Sequence, residues 1–250
     1  MSSTSMRPGG RVAIVSGGSR GIGRAVARRL GAAGGSLVIG YAGNQAEAEA
    51  AAGEVTSAGG QAITFRADVA DERAVSDMFD AAEQRFGGID VVVNSAGIMP
   101  LSPLADLDLG ELDRVLATNV RGTFVVAQQA VRRLRPGGTI VNFSSSVVRI
   151  ARPTYSAYAA SKGAVEGLTL TLAHELRGRD LTVNTVAPGP TATDMFMEGK
   201  PDDLVSRIAA EPPLERLGAP DDIAALVVFL ASPEGHWING QVIYANGGIV

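Results

Sequence analysis

The chain has no cysteine, which removes disulfides, thiolate nucleophiles and cysteine-ligated metals from consideration. Histidine is almost missing as well: there are only His174 and His236, and their separation has no metal-ligand spacing. Aromatic residues make up 5% of the chain, with a single tryptophan, Trp237. Charge is sparse at 19%, the formal net charge is −4, and no Lys/Arg cluster offsets it, which argues against a nucleic-acid partner. Long apolar runs are also lacking. The longest clean one, Ile223 to Ala231, falls far short of the roughly 20 residues that cross a bilayer. The opening MSSTSMRPGG has no apolar signal core. The expectation is a soluble cytoplasmic protein without metal or membrane contact. Residues 1–9 are expected to form a flexible tail, with Met6 as an alternative start.

Hydrophobic residues, by contrast, reach 46% of 250 residues, enough for a sizeable core. Glycine is abundant at 31, above the usual share of about 7%, and much of it sits between apolar runs. Short β-branched runs alternate with helix-period segments along the whole chain. Strands are predicted at 11–18, 36–41, 62–69, 89–97, 138–146, 181–190 and 240–248. Helices are predicted at 21–34, 45–58, 71–86, 108–134 and 156–176. Strands apolar on both faces belong in a parallel sheet covered by helices. The alternation therefore predicts a doubly wound, Rossmann-type α/β fold of about seven strands in one domain, residues 10–250. The least patterned stretch, 190–219, is the expected substrate lid.

The first strand runs into SGGSRGIG, Ser16 to Gly23. Glycine allows unusual backbone angles and close approach, and a helix start offers free N–H groups and a positive dipole end. A strand, glycine turn and helix in that order suit a dinucleotide pyrophosphate at Gly17, Ser19, Gly21, Ile22 and Gly23. After the second strand, Tyr41, Ala42, Gly43 and Asn44 stand where an acid would hold a ribose 2′-hydroxyl, and none is acidic. Arg20 lies in the turn itself, and a guanidinium pairs with a 2′-phosphate. This favours NADP(H) over NAD(H).

YAASK, residues 158–162, sets Tyr158 and Lys162 one helical turn apart on one face. Alone, that spacing is what an ordinary exposed pair would show. A free phenol has a pKa near 10, and bringing it to about 7 takes roughly 4 kcal/mol in favour of phenolate. A neighbouring ammonium is expected to supply part of that preference. Upstream, SSS offers Ser144, Ser145 and Ser146, which cannot all face one side of a strand. Tyr155 is a rival tyrosine, but four residues later stands Ala159, so it is expected to line the pocket.

In these motifs the chain resembles the short-chain dehydrogenases/reductases, from about residue 11 to 248. The family's TGxxxGIG corresponds to Ser16–Gly23, its NNAG to Asn94–Gly97, its added asparagine to Asn119, its catalytic Ser, Tyr and Lys to Ser145, Tyr158 and Lys162, and its PG to Pro188-Gly189. Ser16 stands for the usual Thr and Ser95 for the second Asn. The family's spacing selects Ser145, thirteen before the tyrosine, over Ser144 at fourteen. The resemblance implies an NADP(H)-dependent oxidoreductase that interconverts a carbonyl and a secondary alcohol, with Tyr158 as acid/base. Ser145 would place the substrate oxygen and Asn119 would hold a water leading from Lys162. It further implies adenine contact at Asp68 and Val69, ribose and pyrophosphate contact at Asn94, Ala96 and Gly97, and nicotinamide contact at Pro188, Gly189, Thr191 and Thr193. A homotetramer, with 108–134 and 156–176 as contact faces, is implied as well. Two alternatives stay open: a 3-oxoacyl thioester reductase, which would want a basic patch such as Arg132, Arg133 and Arg135, and a non-catalytic NADP(H)-binding regulator. Substrate identity is not fixed, although Met195, Phe196 and Met197 suggest an apolar, adaptable pocket.

Overall fold

The computed structural model describes residues 10–250; the tail expected at 1–9 lies outside them. Seven strands form one sheet in the order β3-β2-β1-β4-β5-β6-β7, all neighbours parallel. They are β1 (Val12–Ser16), β2 (Ser36–Tyr41), β3 (Gln61–Arg66), β4 (Ile89–Asn94), β5 (Leu134–Phe143), β6 (Leu181–Pro188) and β7 (Val242–Ala245). The chain runs outward from β1 in one direction to β3, then returns across to β4. That reversal opens a crevice at the carboxyl ends of β1 and β4.

Helices cover both faces because the central strands are buried on both. On one face α1 (Gly21–Ala32), α2 (Gln45–Ser57) and α10 (Pro220–Leu230) pack Val26, Leu30, Val55 and Leu230 against Val15, Leu37 and Ile39. On the other, α3 (Glu72–Phe86), α5 (Gly122–Arg133) and α7 (Ser156–Glu175) pack Phe79, Met78, Val126 and Leu172 against Ile14, Val92 and Ile140. No helix among the described residues is long and apolar enough to cross a membrane.

Several boundaries differ from the sequence reading. The helix expected at 108–134 is α4 (Leu109–Val115), a π-helical turn at Leu116–Arg121, and α5. Strand β3 stops at Arg66 because its partner β2 ends at Tyr41, opposite it. Strand β7 spans only Val242–Ala245, since β6 offers no partner beyond Pro188. Strand β5 begins early, pairing Leu134 with Ile89 across an irregularity before Val91. The cap of α3 is Asp71, which accepts from Arg73 N and Ala74 N; Asp68 instead accepts from Ala70 N within its own turn, at 2.9 Å. The stretch 190–219 carries α8 (Asp194–Met197) and α9 (Asp202–Ala209). Its two ends are tied together: Ala192 N donates to Gly218 O at 2.8 Å and Gly218 N to Pro190 O at 2.9 Å.

Candidate active site

A cavity of about 540 Å³ runs along the carboxyl ends of the strands, from the turn before α1 to the start of α7 and α8. Its wall includes Gly17, Ser19, Arg20, Gly21 and Ile22 from the glycine turn, and Tyr41, Ala42, Gly43 and Asn44 after β2. It also includes Asp68 and Val69 after β3, Ala96 and Gly97 after β4, and Pro188, Gly189, Thr191 and Thr193 after β6. Ser145, Tyr158 and Lys162 complete it. Gly23, Asn94 and Asn119 stand behind this wall. Gly23 lies against the turn, where an added Cβ would come within 2.3 Å of Gly17 O. Asn94 ties β4 to β1 by accepting from Ser16 Oγ at 2.9 Å.

The glycine turn fits a phosphorylated ligand on its own geometry. Gly17 has φ +65°, and a Cβ there would lie 2.8 Å from Ala96 Cα and N. Gly21, at φ +53°, faces Thr193 across the cavity. Arg20 precedes α1 without giving it a side-chain cap, and the first turn holds no acid. That helix start therefore presents uncompensated N–H groups to an anion. Arg20 is exposed and makes no ion pair among the described residues. Arg66, which the sequence reading passed over, leans across from β3 and donates to Ala42 O at 3.2 Å, adding a second cation beside the stretch after β2.

At the other end, Tyr158 and Lys162 are buried on the inner face of α7, at 9% and 6% exposure. The lysine Nζ lies 5.6 Å from the centre of the Tyr158 ring and donates to Phe143 O at 2.9 Å. With the protein's own groups alone, burial pushes the phenol up to about 12, while a hydrogen bond from Ser145 pulls the other way. Burial likewise brings the Lys162 amine down to about 8. This is opposite to the acidified phenol expected from the sequence. The spacing correctly placed the amine beside the ring, but the same burial that joins them penalises both charged forms.

Ser144, Ser145 and Ser146 all border the cavity and differ in their hydrogen bonds. Ser144 Oγ donates to Glu166 Oε1 at 2.7 Å, and Ser146 Oγ accepts from Asn246 Nδ2 at 3.2 Å. Ser145 is the one left facing Tyr158. Tyr155 stands edge-on to Tyr158 with ring centres 6.4 Å apart, lining the cavity as expected.

Asn119 is fully buried in the π-helical turn. Its amide pairs with the backbone of Ile98, accepting from N and donating to O, each at 2.9 Å, and also donates to Ser161 Oγ at 3.0 Å. The side chain expected to hold water thus pins the loop after β4. Gly97, one residue earlier, leaves just enough room: a Cβ there would lie 3.6 Å from Lys162 Nζ. π-Turns inside α-helices concentrate at functional sites, but nothing in the run LATNVR marks one.

A parallel sheet whose carboxyl edge carries an anion-receptive glycine turn and a Ser–Tyr–Lys cluster with its tyrosine and lysine buried defines an oxidoreductase of the Rossmann type. Residues 17–250 match the family described as enoyl-(acyl carrier protein) reductase. A short-chain type dehydrogenase/reductase from Picea abies is 46% identical, over 97% of this chain and 93% of its own length. An NADPH-dependent aldehyde reductase-like protein, chloroplastic, from Arabidopsis thaliana is 45% identical, over 96% and 94%. A short-chain dehydrogenase from Burkholderia cenocepacia J2315, solved in complex with NADP, superposes with a TM-score of 0.90 at 41% identity, covering 96% of this chain and 98% of that one. The chain belongs to the short-chain dehydrogenase/reductase family.

Proposed function

We propose that the protein is an NADP(H)-dependent reductase that converts a carbonyl to an alcohol, with Tyr158 donating the proton. The observation that carries this is the Tyr158 phenol, buried at the cavity wall beside Ser145 with its ring centre 5.6 Å from Lys162 Nζ, where burial favours its protonated form. A bound reduced nicotinamide supplies the hydride. Ser145 then holds the carbonyl oxygen, Tyr158 delivers a proton to it as it becomes an alkoxide, and Lys162 lies close enough to stabilise the phenolate left behind. Pro188, Gly189, Thr191 and Thr193 would hold the nicotinamide end, and the turn around Gly17–Ile22 the pyrophosphate. Arg20, with Arg66 nearby, favours NADP(H) over NAD(H), in line with the NADP and NADPH named for the relatives.

The thioester reductase reading is weakened at two of its three arginines. Of the three arginines proposed to meet a carrier protein, Arg133 is engaged by Asp80 and Glu83 and Arg135 by Asp90 at 2.5 Å. A regulator without turnover would have no use for the Ser145–Tyr158–Lys162 set. Following NADPH absorbance with aldehydes, diketones, quinones and acyl thioesters tests all three readings. Loss with the simple carbonyls supports ours, loss with thioesters alone supports the second, and NADPH binding without any loss supports the third. A homotetramer belongs to the same proposal: Leu109, Leu116 and Phe124 are exposed along α4 and α5, and Gly163 and Gly167 on α7 have open space before them. Light scattering on the purified protein would read about four times the mass of 25.7 kDa.

A further inference from the structure

Among the described residues the cavity wall contains three cations: Arg20 in the glycine turn, the buried Lys162, and Arg152. The first two belong to the cofactor end. Arg152 lies between α6 (Val147–Ile150) and α7, on the wall that also carries Val147, Ile150 and Tyr155. Facing it across the cavity are Met195, Phe196 and Ile208 of α8 and α9. Asp194 at the start of α8 is the acid on that side, and Arg152 is the cation that faces this largely apolar part of the wall.

Its placement is enforced. Ala151 at φ +53° and Thr154 at φ +72° both adopt left-handed backbone conformations, which cost a non-glycine residue free energy and collect at working sites. Together with Pro153 they bend the chain into a tight loop around Arg152. Thr154 O accepts from Ser102 N at 3.1 Å, and Tyr155 N donates to Arg152 O at 3.4 Å. Burial pushes the Tyr155 phenol up while the nearby Arg152 guanidinium opposes that shift, and Tyr155 packs directly on Tyr158. Arg152 therefore stands one aromatic ring away from the reacting phenol.

Within the protein itself the guanidinium already holds a carboxylate, that of Glu211, which follows α9 and stands outside the cavity lining. Side-chain exposures of 24% and 39% put this pair in partial contact with water, where such pairs are weak and exchangeable. The contact uses one guanidinium nitrogen and one carboxylate oxygen, and a substrate carboxylate entering the cavity can compete for the same guanidinium. We propose that Arg152 is a specificity-determining residue that selects carbonyl substrates bearing a carboxylate, with Glu211 as its internal competitor. The inference rests on the carbonyl reductase reading and adds a substrate class to it.

The test compares 4-carboxybenzaldehyde with its neutral relative 4-methylbenzaldehyde, and measures direct binding of the product-like 4-(hydroxymethyl)benzoate by calorimetry in the presence of NADP. Arg152→Met is expected to raise KM for the carboxylated aldehyde by at least about tenfold, the scale of one lost charge-assisted hydrogen-bond pair, while kcat/KM for the neutral one stays within about twofold. Arg152→Lys should recover part of the loss. Glu211→Gln, by removing the competitor, should lower KM for the carboxylated aldehyde and tighten binding of the benzoate. Equal effects of Arg152→Met on both aldehydes would overturn the proposal. So would a Glu211→Gln variant that impairs both alike, which is the behaviour of a latch. Should wild-type protein reduce neither aldehyde, the calorimetry still decides: carboxylate binding lost in Arg152→Met supports the site, and binding unchanged refutes it.

Discussion

At the scale of single residues, Lys162 carries the clearest cost. Its amine is ordinarily at 10.5 and burial brings it to about 8. Between those values the unfolded chain holds a proton that the folded one releases, so stability rises with pH across that window and the full penalty applies below about 8. At 1.36 kcal/mol per pH unit the penalty is about 3 kcal/mol. Lys162→Met is expected to raise the melting temperature at pH 7 by several degrees and to lose most of that gain by pH 10, as thermal unfolding at the two pH values would show. A variant less stable than the parent at both would contradict the assigned burial cost. Tyr158 shifts the other way and is neutral in both states below pH 10, so it costs stability only above that. A second expectation concerns Gly17. Alanine there combines a left-handed φ with a 2.8 Å approach to the Ala96 backbone. Gly17→Ala should therefore lose NADPH affinity and melt several degrees lower, whereas Gly53→Ala, with open space on α2, should leave both unchanged or better.

At the scale of elements, the π-turn at Leu116–Arg121 is the feature that shapes the site. Asn119→Ala would strip partners from Ile98 N and O and from Ser161 at once, a loss of about 1–3 kcal/mol by the usual cost of orphaned buried groups. Because the same loop sets Gly97 beside Lys162, kcat/KM should fall by more than that stability loss alone explains; urea unfolding alongside kinetics separates the two. This element also marks where sequence reasoning stops. The strand–helix alternation, the parallel sheet and the glycine turn were legible, since each follows from apolar periodicity and glycine placement. The spacing of Tyr158 and Lys162 was legible because a helix maps it onto one face. The π-turn was not, since one extra residue per turn leaves no trace in composition. Nor were the ends of β3 and β7, which are set by where the neighbouring strand stops. The direction of the Tyr158 shift needed the degree of burial, and Arg152 needed the folded wall that brings Glu211 against it.

At the scale of the whole molecule, cofactor choice should register in global stability, because a ligand that binds only the folded state raises its melting temperature. NADPH is expected to stabilise the protein clearly more than NADH at equal concentration, and Arg20→Ala to remove most of that difference. Equal stabilisation by both dinucleotides would remove the preference for NADP(H), and stronger stabilisation by NADH would transfer it to NAD(H).

The most direct measurement is NADPH oxidation by wild type and Tyr158→Phe on the best carbonyl substrate found, with NADPH affinity measured for both. With the phenol as proton donor, the variant should bind NADPH as the parent does and turn over about 10²- to 10⁴-fold more slowly. A Tyr158→Phe protein that reduces the same substrate at the parental rate would contradict the account.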